Sequence, residues 1–300
     1  MQKIKTISRY FATYDRVNIY DDTIVENKHL ISCVEMDKHG NNIEDKTFDA
    51  EGNIENYIKR IYNDNNVLIQ EMFYSDSDSE PYEMRHFFYN ENGTLISAKT
   101  KYMEDEITEK YNYSAEGNLL QKVIVYSNGF SYVEKEYEWE GNKPVKITEN
   151  EENDPISVQT ISYDEQGRLI RIVTIEYVEN DRRTEEYEYD GDLVTKQSVF
   201  NHKGDLMTLV QNTYKNNLLI EKTIETGSQF FKHRYEYDEK GNKTKESILN
   251  HEDTVLTEHI TQYNEDGLEV ETKTNSLSIV DNEKELVLIE KHETVYSFFD

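Results

Sequence analysis

Apolar and polar residues alternate with a period of two along most of this chain, and short runs of Asp, Asn and Gly interrupt the alternation at regular intervals. Period two puts successive side chains on opposite faces of a strand, so each alternating run reads as a β-strand and each interruption as a hairpin turn. Tyr163-Asp164-Glu165-Gln166-Gly167-Arg168-Leu169 is the fullest form of the interruption. A tyrosine enters, acidic or amide residues follow, glycine closes and an aliphatic residue leaves. The order recurs from Tyr237, Tyr263, Tyr113 and Tyr89, with looser copies entered at Met36, Tyr62, Trp139, Tyr189 and Tyr214. Neighbouring anchors stand 23–27 residues apart, a spacing regular enough to define a repeat architecture.

Two turn classes are expected. The longer one needs a residue at positive φ, which glycine supplies at least cost, after an Asx side chain that bonds the nearby backbone. The shorter one, as in Glu140-Gly141-Asn142-Lys143, Asp190-Gly191-Asp192-Leu193 and Lys215-Asn216-Asn217-Leu218, suits a two-residue hairpin turn. Thr47–Ile54 carries an extra copy between two anchors and is expected at the opposite end of its unit. The other connections at that end are irregular and acidic, and variable loops on a regular scaffold are where function tends to sit.

The pattern therefore predicts an all-β protein, an antiparallel meander of about ten ~25-residue β-hairpin repeats in an elongated, twisted or curved open sheet or partial shell. Residues 1–31 are expected to form an N-terminal cap, 32–276 the repeat array and 277–300 C-terminal capping strands, all in one continuous domain. The apolar clusters Leu286–Ile289 and Tyr296–Phe299 read as a cap or as an exposed docking patch.

The motif resembles the YD repeat of Rhs and teneurin proteins, and Tyr163-Asp164…Gly167-Arg168-Leu169 is nearly its full form. The resemblance covers roughly residues 30–275. It implies a hairpin-repeat fold and an association with interbacterial toxin systems. The period here is longer and the copies far fewer than in large Rhs shells, so encapsulation is not implied.

Composition changes the picture mainly through charge. Sixty-one Asp and Glu stand against 33 Lys and Arg, a net charge of −28. Such a field repels nucleic acid and anionic membranes and steers a basic partner inward. A single cysteine, Cys33, rules out an intrachain disulfide framework. The first ten residues contain no apolar signal core and no stretch approaches a membrane helix, so a cytoplasmic setting is expected. The eight histidines never fall at metal-ligand spacing. Asp76-Ser77-Asp78-Ser79-Glu80 fails as a calcium loop because Pro81 and Phe87 stand where glycine and glutamate are needed. No nucleophile elbow, phosphate loop or dinucleotide fingerprint is present.

These readings predict a protein that is not an enzyme, holds no cofactor or metal, and is a monomer when free. The expected function is binding of a basic protein partner, specifically as an immunity protein that occludes a basic bacterial toxin. The alternative is a cell-surface or secreted structural or carbohydrate-binding repeat module. The candidate partner-binding residues are the acids of the irregular turns: Asp76, Asp78, Glu80, Glu104, Asp105, Glu106, Glu151, Glu152, Asp154 and Asp181.

Overall fold

A computed structural model describes residues 2–18, 21–76, 80–152, 154–280 and 283–300. All regular structure among them is extended. The strands are β1 (Ile4–Asn18), β2 (Asp21–Met36), β3 (Asn42–Phe48), β4 (Ile54–Tyr62), β5 (Leu68–Tyr74), β6 (Glu83–Tyr89) and β7 (Leu95–Tyr102). Next come β8 (Asp105–Tyr113), β9 (Leu119–Tyr126), β10 (Ser131–Glu140), β11 (Lys143–Glu151), β12 (Asp154–Tyr163), β13 (Leu169–Glu176) and β14 (Asp181–Asp190). The last are β15 (Leu193–Phe200), β16 (Leu206–Lys215), β17 (Leu218–Thr226), β18 (Gln229–Tyr237), β19 (Lys243–Leu249), β20 (Val255–Tyr263), β21 (Glu269–Val280) and β22 (Glu283–Phe298). They form a 22-stranded antiparallel meander, as the alternation predicts.

The chain falls into two compact units. Unit 1 holds residues 1–82, 214–222 and 231–300, and unit 2 holds 83–213 and 223–230. The boundaries expected from the sequence fall inside strands: 31/32 within β2 and 276/277 within β21.

The expectation of an open sheet is corrected in unit 1. β1 pairs with β2 on one edge and with β22 on the other, from Ile4↔Phe298 to Thr13↔Glu290. The first and last strands are therefore neighbours instead of two exposed edges. An unpaired edge is a row of unsatisfied N–H and C=O groups, and pairing the ends with each other removes it.

Ten anchors enter turns at alternate connections, so within each unit these turns share one end, here the anchored end, and the irregular turns share the other, the variable end. The longer class is built as expected. Asp164 N–H donates to the Arg168 carbonyl at 2.9 Å, Gly167 N–H donates to the Asp164 carbonyl at 2.9 Å, and Asp164 Oδ1 accepts from Arg168 N–H at 2.8 Å. Gly167 sits at φ +82°. Neighbouring turns are stitched together: Lys143 Nζ donates to the Gly167 carbonyl at 2.9 Å, and Arg168 Nη1 donates to the Gly191 carbonyl.

The anchors have a role that periodicity alone did not reveal. β11 and β12 pair from Glu151↔Asp154 up to Lys146↔Thr160, then part before the anchored end. Tyr163 Oη spans that parting and donates to the Pro144 carbonyl at 2.9 Å. The same bridge is made by Tyr62 to Asn42, Tyr113 to Leu95, Trp139 Nε1 to Leu119, Tyr189 to Leu169, Tyr237 to Leu219 and Tyr263 to Lys243, at 2.5–3.1 Å. Each acceptor is the carbonyl of the first or second residue of a strand just past the preceding anchored turn. A side-chain donor thus replaces the ladder bond that the parting removes.

The anchor-bearing strand face also holds ion pairs. Glu109 takes hydrogen bonds from Tyr111 Oη at 2.6 Å and Arg85 Nη2 at 2.7 Å, and Lys122 Nζ lies 2.9 Å away. Burial opposes ionisation of the Glu109 carboxyl, but the Tyr111 and Lys122 hydrogen bonds and the nearby Arg85 outweigh it and hold it below the usual range. The Tyr111 hydroxyl is pushed up to about 12 by burial and by its bond to Glu109. Tyr187, bonded to Glu185 at 2.8 Å, is raised to about 12 for the same two reasons.

Candidate protein-interaction rim

The variable end of unit 2 gathers most of the candidate acids. β7 and β8 turn through Met103 and Glu104, with Tyr102↔Asp105 closing the ladder and Met103 at φ +52°. β11 and β12 turn through Glu152 at φ +51° between paired Glu151 and Asp154. Asp181 opens β14 opposite Glu176. Glu104, Asp105, Glu151, Glu152, Asp154 and Asp181 are all exposed. Glu106 is half-buried and pairs with Lys99 Nζ at 2.8 Å. Asp76 and Glu80 are exposed but belong to unit 1, so they are not part of this rim, and Asp78 lies outside the described residues.

Between the acids stand apolar side chains that charge alone did not single out. Tyr102 and Met103 adjoin Glu104, Tyr177 and Val178 precede Asp181, and Tyr126, Phe130, Leu206 and Met207 stand at other variable turns of the unit, with Met103 66% and Val178 79% exposed. Tyr126, Phe130 and Tyr132 form one aromatic cluster, their ring centroids 5.8–6.4 Å apart. The β9–β10 turn beneath it is fixed by Tyr126 N–H to the Phe130 carbonyl at 2.9 Å and Asn128 Oδ1 to Phe130 N–H at 2.9 Å. Ser127 N–H donates to the Glu106 carbonyl at 3.2 Å, and Tyr177 N–H donates to the Ile156 carbonyl at 2.9 Å, so successive variable turns hold one another in place. Exposed aromatics on a stitched frame make a preorganised contact surface.

Tyr102 and Tyr126 end their strands just before a turn as the anchors do, so the sequence does not set them apart. The bridging anchor hydroxyls are already bonded to backbone carbonyls and are not offered to a partner.

The rim is not uniformly acidic. Arg171, Arg182, His202 and Lys203 line a depression of about 480 Å³ beside β14. Glu186 lies 3.6 Å from Arg171, and Asp181 lies 3.7 Å from His202 Nδ1. A larger cleft of about 820 Å³ is the parting of β11 and β12 itself, lined by Glu138, Lys143, Lys146, Thr160, Tyr163 and Glu165 among others. Its carboxylates are met by lysine, with Lys146 Nζ 2.7 Å from Glu138. Among the described residues no group of three or more His, Cys, Asp or Glu could hold a metal ion. No helix is long and apolar enough to cross a membrane.

No family profile matches the chain, and no curated protein matches it. Among solved structures, it is similar to a porin-like protein from Bacteroides uniformis at 8% identity and TM-score 0.36, over 98% of each chain. A porin-like protein from Bacteroides vulgatus matches at 11% identity and TM-score 0.27, over 80% of this chain and 97% of that one. The TcdB2–TccC3 complex matches at 12% identity and TM-score 0.28, over 94% of this chain and 19% of that one. This chain thus spans about a fifth of the TcdB2–TccC3 chain. These distant likenesses carry no activity, partner or location over to it.

Proposed function

We propose that this protein is a non-enzymatic YD-like β-repeat protein that binds a basic partner protein through the variable end of unit 2. The specific reading is an immunity protein that occludes a basic bacterial toxin. One observation carries the binding role: exposed aromatic and aliphatic side chains alternate with carboxylates at one set of turns, while the aromatics of the other set are committed to the backbone. Apolar anchors surrounded by charge are the composition of a binding hot spot. The carboxylates supply long-range attraction and the aromatics supply contact area.

An aqueous setting on both strand faces fits the alternation. One face of β8–β11 carries Glu109, Lys122, Lys135 and Glu149, the other Lys110, Glu136, Glu138 and Lys146. A membrane-spanning barrel needs an apolar band on its outer face. The proposed reading is a cytoplasmic protein, a monomer until it meets its partner.

The test has two parts. Co-expression with the product of an adjacent toxin gene should restore growth and yield a stoichiometric complex. Surface plasmon resonance on that complex should then separate two kinds of variant. Glu151→Lys/Glu152→Lys/Asp154→Lys should slow association at low salt by about tenfold, and Phe130→Ala/Tyr177→Ala should speed dissociation. Unchanged rates in both would remove the rim from the interface. A second reading rests on the Tyr126–Phe130–Tyr132 cluster, whose stacked rings also suit a sugar face. Saturable glycan-array binding lost in Phe130→Ala, with no protein partner captured, would favour it.

A further inference from the structure

We propose a small-molecule site in unit 2: the depression between β14 and the β15–β16 turn binds a phosphate monoester of the sugar phosphate or nucleotide class. The site needs no protein partner, so it stands or falls apart from the role proposed for the rim. Alternate residues of a strand share a face. Arg182, Thr184 and Glu186 of β14 therefore stand together with Arg171, which is paired with Glu186, and Phe200, which is paired with Thr184. The β15–β16 turn brings His202 and Lys203 to the same place, and the space they line is about 480 Å³. That volume is in the range of small-ligand sites. The turn is held in shape by Asn201, whose Oδ1 accepts from Lys203 N–H and Asp205 N–H, both at 2.9 Å.

Uncommitted donors single this depression out. Thr184 is 8% exposed, and its hydroxyl has no hydrogen-bond partner among the described residues. Arg85, Arg168, Arg171 and Arg183 each pair with a carboxylate. Arg182, the remaining arginine of unit 2, pairs with none among the described residues, and neither does Lys203 Nζ. The acids nearby are already engaged. Glu186 lies 3.6 Å from Arg171, Asp181 lies 3.7 Å from His202 Nδ1, and Asp205 accepts from Asn201 Nδ2 at 3.1 Å. A buried hydroxyl, a guanidinium and an ammonium thus line one hollow without an acceptor of their own.

These donors define the ligand. Guanidinium and ammonium groups donate and cannot accept, so the ligand must bring acceptors, and anionic ones bind most strongly. The donors come from three sides: Arg182 along β14, Lys203 from the turn and Thr184 from the floor. A phosphate monoester offers three terminal oxygens to such a set, whereas a carboxylate offers two in one plane. The hollow is larger than a phosphate group needs. It continues past Thr184 to the Phe200 ring and to the Arg171–Glu186 pair. The ring supplies an apolar surface, and the pair supplies both a donor and an acceptor for hydroxyl groups. A phosphorylated ring bearing hydroxyls satisfies all of these at once.

The test is isothermal titration calorimetry of the whole protein with glucose-6-phosphate, adenosine monophosphate, glucose, adenosine and inorganic phosphate. At least one of the two esters should bind saturably, and the stronger of them tells a sugar phosphate from a nucleotide. Its unphosphorylated parent and inorganic phosphate should each bind more weakly by about tenfold or more. Arg182→Gln/Lys203→Gln should weaken the ester by at least about tenfold and leave the melting temperature unaltered, because both side chains are exposed. Thr184→Val, which keeps the shape and removes the hydroxyl, should weaken it to a smaller extent. No saturable binding of either ester would overturn the proposal, as would ester binding that Arg182→Gln/Lys203→Gln leaves unchanged. Equal binding of inorganic phosphate would also overturn it, since the depression would then hold an adventitious ion only.

Discussion

Replacing Tyr163 by phenylalanine tests the bridge that accounts for the repeat. The substitution keeps the ring and removes the oxygen that donates to the Pro144 carbonyl at 2.9 Å, where β11 and β12 have parted. A neutral hydrogen bond contributes about 0.5–1.5 kcal/mol net, and an acceptor left unsatisfied when buried costs about 1–3 kcal/mol. The cleft at this parting is open, and water can reach the freed carbonyl, so the lower range applies and a loss of about 1 kcal/mol is expected. At this chain length that lowers the melting temperature by about 2 °C. Tyr137 is the internal control. It lies two residues before an anchor, and its ring centroid is 6.5 Å from that of Trp139, but no backbone bridge runs from it. Tyr137→Phe should therefore change stability by less than about 0.5 kcal/mol. Urea titration reads both. The larger effect should also appear as faster amide exchange in residues 164–168, since the bridge holds that hairpin against its neighbour. Equal losses in the two variants, or none at Tyr163, would refute the bridging role and leave the anchors as ordinary half-buried rings.

The hydroxyls of Tyr111 and Tyr187 are raised from 10.0 to about 12, so the stability they contribute is fully present below pH 10 and lost as pH rises through 12. Tyrosinate absorbance should show a class titrating late and together with loss of the strand spectrum, and Glu109→Gln should advance it for Tyr111. Gly167→Ala should cost about 1–2 kcal/mol for the φ of +82°, plus the displacement of Lys143 Nζ, which the new Cβ would meet. Gly204→Ala, at φ +86° with open space around it, should cost the φ penalty alone. Chemical denaturation distinguishes the two.

Local chemistry was legible in the sequence, and closure was not. The aromatic–Asx–Gly order marks turns because each residue is needed within seven positions of the others, as Asp164, Gly167 and Arg168 show. Trp139 at an anchor position hinted that a donor, not a phenol, is the requirement, and its Nε1 bond to the Leu119 carbonyl at 2.7 Å makes the point. The β1–β22 pairing joins residues nearly 300 positions apart with no turn between them, so no local pattern encodes it. The proposed rim was half legible. Net charge pointed to the acids of the irregular turns, but Tyr126, Phe130 and Tyr177 went unread because the strong anchor signal claimed the aromatics. Asp76 and Glu80, read with the same weight, fall in the other unit.

β1 pairs antiparallel with β22, so both termini reach the same end. In unit 1 that is the anchored end, where Lys3 Nζ donates to the Lys38 carbonyl at 2.7 Å and Phe299 N–H donates to the Lys3 carbonyl at 3.0 Å. The variable end is then made of turns alone. Circular permutation tests whether scaffold and site are separated in this way. With residues 1 and 300 joined by a short linker, new termini opened between Gly191 and Asp192 should give a folded protein that still binds its partner. New termini between Ser127 and Gly129 should give one that folds but binds weakly, because the Tyr126–Phe130–Tyr132 cluster loses its turn. Equal binding by both permutants would place the site elsewhere. Failure of both to fold would mean that the terminal strands do not hold the sheet together.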